Sequence, residues 1–190
     1  MANKGEYEHF IPPAKEHSEF PGKNVHILIE SIEQLEEALS NPSKYIAWDT
    51  ETSSLDPSTG ELVGFSFSFD GKTGYYVPLA HYMGNNLPRE ALDKFYDRIC
   101  KAQMNFLYNM RFDYRWMEYQ GYDMSNVPYY DVAVGVWLAD TNVKFPSLKW
   151  AERHFLGWDP TTFEETLGDA TSFRFLDVKD AYPYACVPGK

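Results

Sequence analysis

Two periods of hydrophobic positions alternate along the chain, and their order predicts the fold. Residues 25–30 are rich in β-branched side chains and predict a first strand. Ser31 then precedes Ile32, Leu35 and Leu39, which share one helical face, so Ser31 is the expected N-cap of an amphipathic helix over residues 32–40. Asn41-Pro42 stops that helix. The apolar run from Tyr45 to Trp48 predicts a second strand. Residues 62–69 and 74–79 flank the turn signal Asp70-Gly71 and predict an antiparallel hairpin. Phe65, Phe67 and Phe69 share one face of it, Ser66 and Ser68 the other. The three phenylalanines are assigned to the core rather than to a base-stacking platform.

Helical spacing dominates the second half. Ala91, Leu92, Phe95 and Ile99 follow Pro88 and predict a helix over 88–102. Residues 104–108 predict a short buried strand, and 109–120 a helix closed by Gly121. Around Asp131 the pattern passes from extended to helical, and residues 132–139 are largely apolar. Ser147 is the expected cap of a helix over 148–156 that Gly157 ends, and residues 163–167 predict a helical turn. Asp180 is the expected N-cap of a last helix over 180–187, with Pro183 in its first turn. This order implies an α/β protein with a mixed sheet flanked by helices.

Composition narrows the class. A chain of 190 residues, 44% hydrophobic and 17% aromatic, is sized for one folded domain with a sizeable core. Residues 1–24 carry Pro12-Pro13 and Pro21-Gly22 without a period and are expected to form an extended arm. No run approaches a membrane span, and the polar start does not resemble a signal peptide, so no membrane partner is expected. Cys100 and Cys186 make no disulfide framework, which points to a reducing cytoplasmic location. The five histidines show no zinc-ligand spacing. A net charge of −11 disfavours a long sequence-reading DNA surface. It does not disfavour a site where cations meet the phosphate.

Three constellations carry candidate chemistry. The strand from Tyr45 ends in Asp49-Thr50-Glu51, and alternation puts both acids on one face. Two adjacent carboxylates repel, and a divalent cation between them relieves the repulsion; a solvated turn after a strand is the alternative reading of this spacing. Asn109 and Asp113 lie four apart where a buried strand gives way to a helix, hence on one helical face once the turn has formed. Tyr182-Pro183-Tyr184 lies near the C-terminus.

Together, Asp49-x-Glu51, Asn109-x-x-x-Asp113 and Tyr184 resemble the three motifs of the DEDD exonucleases, in their tyrosine-containing branch. More closely, the chain resembles the 3′–5′ proofreading exonuclease domain of bacterial DNA polymerase I and its phage relatives. The stretches from Asp49 to Asp56, Tyr75 to His81, Asn109 to Asp113, Leu148 to Gly157 and Thr161 to Glu165 carry the likeness, as does Asp131 with the apolar helix after it. It runs from about residue 25 to 187. The resemblance implies a ribonuclease-H-like fold and hydrolysis with two divalent metal ions, Mg2+ or Mn2+. Asp49 would bridge both ions, Glu51 would hold the first and help place the attacking water, and Asp113 would serve the second through water. Tyr184 would orient the nucleophile; a phenol of pKa about 10 is a poor base at neutral pH. Leu55 and Phe163 match positions that wedge against terminal bases, and Asn109 one that supports the site and contacts the strand. The implied substrate is a single-stranded 3′ end of DNA, the implied context a polymerase domain in a longer protein, and the implied location the cytoplasm of a bacterial or phage-infected cell.

One departure bears on activity. The family motif has Asp four residues after its tyrosine, and here Pro188 stands there, followed by Gly189-Lys190. Asp180 is eight residues away, roughly 12 Å along a helix, too far to substitute. The expected domain therefore spans residues 25–187, with 188–190 a non-native tail and weakened metal binding and hydrolysis. Two alternatives stay open: an inactive strand-binding or scaffold module, and an exoribonuclease of the ribonuclease D type.

Overall fold

A six-stranded mixed sheet carries the fold, in the spatial order β1-β4-β3-β2-β5-β6. The computed structural model describes residues 25–142, 146–157, 163–168 and 170–186. The expected arm over 1–24, part of the loop over 140–146, Thr161-Thr162, the helix end at Val187 and the tail over 188–190 lie outside them.

The strands are β1 (Val25–Leu28), β2 (Tyr45–Thr52), β3 (Leu62–Ser68), β4 (Thr73–Pro78), β5 (Met104–Leu107) and β6 (Tyr129–Asp131). The helices are α1 (Ile32–Leu39), α2 (Glu90–Lys101), α3 (Met110–Tyr119), α4 (Val132–Ala139), α5 (Leu148–Ala151), α6 (Phe163–Leu167) and α7 (Val178–Ala185). β2, β3 and β4 run antiparallel in sequence, as the hairpin signal requires, while β1–β4, β2–β5 and β5–β6 are parallel. Sheet type and helix placement agree with the expected α/β, ribonuclease-H-like class. No helix among the described residues is long and apolar enough to cross a membrane.

Each face of the sheet has its own core. Trp48, Phe65 and Phe67 pack with Leu35 of α1 and Leu92, Phe95 and Ile99 of α2. On the other face Val63 and Tyr76 pack with Phe173, Leu176, Ala181 and Ala185 from the C-terminal segment. Every residue of β3 is buried, including Ser66 and Ser68 on the face opposite the phenylalanines. An irregular register beside Glu51 and Thr52 turns Val63 to the opposite core from Phe65, as a bulge does. Asn105, fully buried, satisfies its amide by accepting from Trp48 Nε1 (3.1 Å) and donating to the Ile99 (3.0 Å) and Pro128 (2.8 Å) carbonyls.

Most expected helix ends are observed: Ser31 accepts from Gln34 N–H, Ser147 from Trp150 N–H, and Gly121 and Gly157 take the left-handed backbone (φ 94° and 69°) that ends a helix. Three differ. The helix after Ser147 changes to π geometry over Glu152–Leu156. A 3-10 turn, Phe173–Phe175, precedes α7. The N-cap of α7 is Asp177, accepting from Lys179 N–H at 2.9 Å, not Asp180. Starting there puts Val178, Ala181 and Ala185 on the buried face. Pro183 consequently lies inside the helix, where its missing N–H leaves one helical bond unmade.

Gly64 is a packing requirement, because a Cβ there would run into the Tyr76 phenol. Gly64→Ala is expected to lower stability by about 1–3 kcal/mol, read as a lower urea midpoint at unchanged slope.

Candidate active site

The site forms where β2 outruns its parallel neighbour. The β2–β5 ladder pairs Tyr45, Ile46 and Ala47 with Met104, Asn105 and Phe106 and then ends. Beyond it β2 continues through Asp49, Thr50 and Glu51, past the end of the β5 ladder. The chain leaves β5 through Asn109, whose backbone is left-handed (φ 62°, ψ 54°). It is the one non-glycine residue with positive φ among the described residues. Asp131 fixes this turn: its carboxylate accepts from Asn109 N–H (3.0 Å), Met110 N–H (3.2 Å) and Ala133 N–H (3.0 Å). One side chain thus holds the starts of α3 and α4.

That turn delivers Asp113 to the open edge of β2. Its Oδ1 accepts from Thr50 N–H at 2.9 Å and from the Thr50 hydroxyl at 2.6 Å. Its Oδ2 is buried and has no hydrogen-bond partner among the described residues. Burial raises the Asp113 pKa well above the carboxylate range, the charge of Asp49 raises it further, and the bonds from Thr50 oppose the shift. Asp49 and Glu51 share the other face of β2, opposite Ser66 and Gly64, with Asp49 half-buried and Glu51 buried.

A buried, unbonded carboxylate oxygen beside a second carboxylate fits a hard divalent cation, which favours oxygen donors and offsets both charges. Among the described residues no three His, Cys, Asp or Glu side chains converge into a ready-made cage. Sites for Mg2+ commonly use one or two carboxylates and complete the shell with water and substrate phosphate.

A cleft of about 360 Å³ opens beside these acids, lined by Glu51, Leu55, Phe112, Ser172 and Phe173 among others. Leu55 is 83% exposed at it. The Tyr184 ring lies 6.0 Å from that of Phe173, and Lys149 Nζ lies 5.5 Å from the Tyr184 ring.

The fold therefore brings Asp49, Glu51 and Asp113 to one strand end, sets Leu55 in the adjoining cleft, and leaves Tyr184 in ring contact with Phe173. Asn109 corrects the expectation of a face shared with Asp113, because its left-handed backbone puts it before the helix, and it is exposed. Phe163 opens α6, and its side chain, like Pro188, lies outside the described residues. Thr50, Asp131, Phe112 and Phe173 also build the site. Thr50 and Phe112 sit inside quoted motifs. Asp131 had only its place before an apolar helix as a signal, and Phe173 had none.

The mixed sheet, with carboxylates at the end of the central strand β2, has a ribonuclease-H-like fold. NrnC of Brucella melitensis, solved bound to pGG, superposes with a TM-score of 0.63 at 15% identity, covering 88% of this chain and 76% of that one. Escherichia coli RNase D, an exoribonuclease, gives 0.63 at 15% identity over 86% of this chain and 41% of its own. Residues 26–186 match the model of the 3′–5′ exonuclease family found in DNA polymerase I, and the chain belongs to that family. It is 29% identical over 159 residues to DNA polymerase I of Borreliella burgdorferi, covering 83% of this chain. The chain spans 16% of that relative's length.

Two variants test the local physics. Folding raises the Asp113 pKa, so this group's contribution to stability is fully present below the ordinary value of 3.8 and is lost as pH rises through the higher folded value. Asp113→Asn is accordingly expected to raise Tm by about 2–4 °C or more at pH 8 in EDTA, with the advantage fading toward pH 4. Thr50→Val keeps the backbone bond and removes the hydroxyl; it is expected to lower stability by about 1–2 kcal/mol in urea unfolding, with Thr50→Ser close to the parent.

Proposed function

We propose that this exonuclease domain hydrolyses the terminal phosphodiester of a single-stranded 3′ DNA end with two divalent cations, within a longer polymerase. The observation that carries the reading is the buried, unpartnered Oδ2 of Asp113 beside Asp49. The relatives that are DNA polymerases support the substrate and the context.

Asp49, Glu51 and Asp113 are the residues that would hold the cations. When bound, such ions lower the pKa of water, offset charge on the phosphoryl oxygens and stabilise the leaving oxygen. Thr50 holds Asp113 by one oxygen and so leaves the other to face the site. Glu51 and Tyr184 align the attacking water, Tyr184 through its hydroxyl. Leu55 and Phe163 bear on the last bases, which favours a frayed end because apolar and aromatic contact tolerates any base. Asn109 steadies the strand at the turn into α3. Pro188 supplies no carboxylate, so turnover by this chain is much reduced.

Pro188 also favours a second reading, a strand-binding module without turnover. Degradation of 3′-labelled DNA and RNA oligonucleotides with Mg2+ or Mn2+ separates the readings. Slow loss of 3′ nucleotides from DNA is expected, with none after Asp49→Ala. Pro188→Asp, in a chain extended by a helical segment, is expected to be at least about tenfold faster, as restored metal binding requires. Equal rates in the parent and Asp49→Ala would contradict the proposal. Faster loss from RNA would move the assignment to the ribonuclease D type.

A further inference from the structure

Tyr76 and His81 lie in a stretch that carries the family likeness, yet neither has a part in the site as built so far. The Tyr76 phenol is fully buried and lies against Gly64, the cross-strand partner of Glu51. Cross-strand partners share a face, so the phenol stands beside Glu51. Burial, and after it the Glu51 charge, push its pKa up.

The Tyr76 hydroxyl is 2.6 Å from His81 Nε2, and His81 Nδ1 is 3.0 Å from the Leu176 carbonyl oxygen. A carbonyl only accepts, so Nδ1 carries the proton, Nε2 accepts, and Tyr76 donates. Burial lowers the His81 pKa, which favours this neutral form. His81 is fixed in turn by Asn86: its N–H donates to Asn86 Oδ1 and its carbonyl accepts from Asn86 Nδ2, both at 2.8 Å.

The same seam continues on either side. Tyr82 N–H donates to the Arg174 carbonyl at 2.8 Å, Met83 bridges to Asp177 as a parallel pair, and Arg174 pairs with Glu61. The Phe173 ring lies 5.6 Å from His81 and 6.0 Å from Tyr184, and it lines the cleft with Glu51. An apolar pair in place of Tyr76 and His81 would avoid burying a hydroxyl and an imidazole. What the polar pair adds is direction, since one donor, one acceptor and one carbonyl meet in a single arrangement.

We propose that Tyr76 and His81 are positioning residues that clamp the Tyr184-bearing segment, residues 172–186, onto the Glu51 face of the sheet. The consequence for turnover rests on the assignment of Tyr184 to the site; the clamp itself does not.

Hydrogen exchange on the chain as it stands, without metal or nucleic acid, tests the clamp. Tyr76→Phe keeps the ring and removes the hydroxyl. Tyr76→Phe combined with His81→Leu removes the polar pair and restores apolar packing. In both, amides of residues 172–186 are expected to exchange about tenfold faster, while those of α2 keep their rates. Unchanged exchange over 172–186 in both variants overturns the clamp, and so does an increase shared equally by α2. With Mn2+ and a 3′-labelled strand, kcat is expected to fall about tenfold at unchanged KM, the mark of a lost alignment rather than lost binding. Faster exchange with unchanged kcat upholds the clamp and counts against the role of Tyr184.

Discussion

Everything at the site depends on how Asp113 is held. Its carboxylate takes the place of a strand partner at the edge of β2, accepting from the backbone and the side chain of the same threonine. This gives one oxygen two donors and leaves the other buried and without a bond among the described residues. Such an arrangement costs the fold stability, because an ionised group in low dielectric needs a partner. It would suit a bound cation, because the carboxylate is already fixed in place.

The supports for that carboxylate come from three directions. Asp131 sets the start of α3 from below, through the left-handed turn at Asn109. The short β5 ladder creates the open edge. The C-terminal segment covers the opposite face of the sheet and closes one wall of the cleft with Ser172 and Phe173. These supports are far apart in sequence, so disturbing any one of them reaches the site through backbone placement rather than through ligand loss.

Much of this was legible in the sequence. The alternation that put Asp49 and Glu51 on one face is a property of any strand, and the hairpin and caps at Ser31 and Ser147 follow from local residue chemistry. The family likeness pointed to Asp113 and Leu55; the fold bonds Asp113 to Thr50 at the edge of β2 and puts Leu55 at the neighbouring cleft. What was hidden depends on where partners end. Nothing near Thr50 tells that β5 stops pairing at Ala47, so its double bond to Asp113 has no local signal. Asn109 looked helical by spacing, but the bend out of β5 demands a left-handed residue there. Asp177 and Asp180 are equally good caps by type, and only the buried face of α7 chooses between them.

The central claim is that the free oxygen of Asp113 faces a cation shared with Asp49. Anomalous diffraction from crystals soaked in Mn2+ and a nucleoside monophosphate tests it most directly. The account predicts an anomalous peak between Asp49 and Asp113 Oδ2, in direct or single-water contact with that oxygen. A structure at saturating Mn2+ with no peak there, and with Oδ2 bonded to a protein donor, would contradict it.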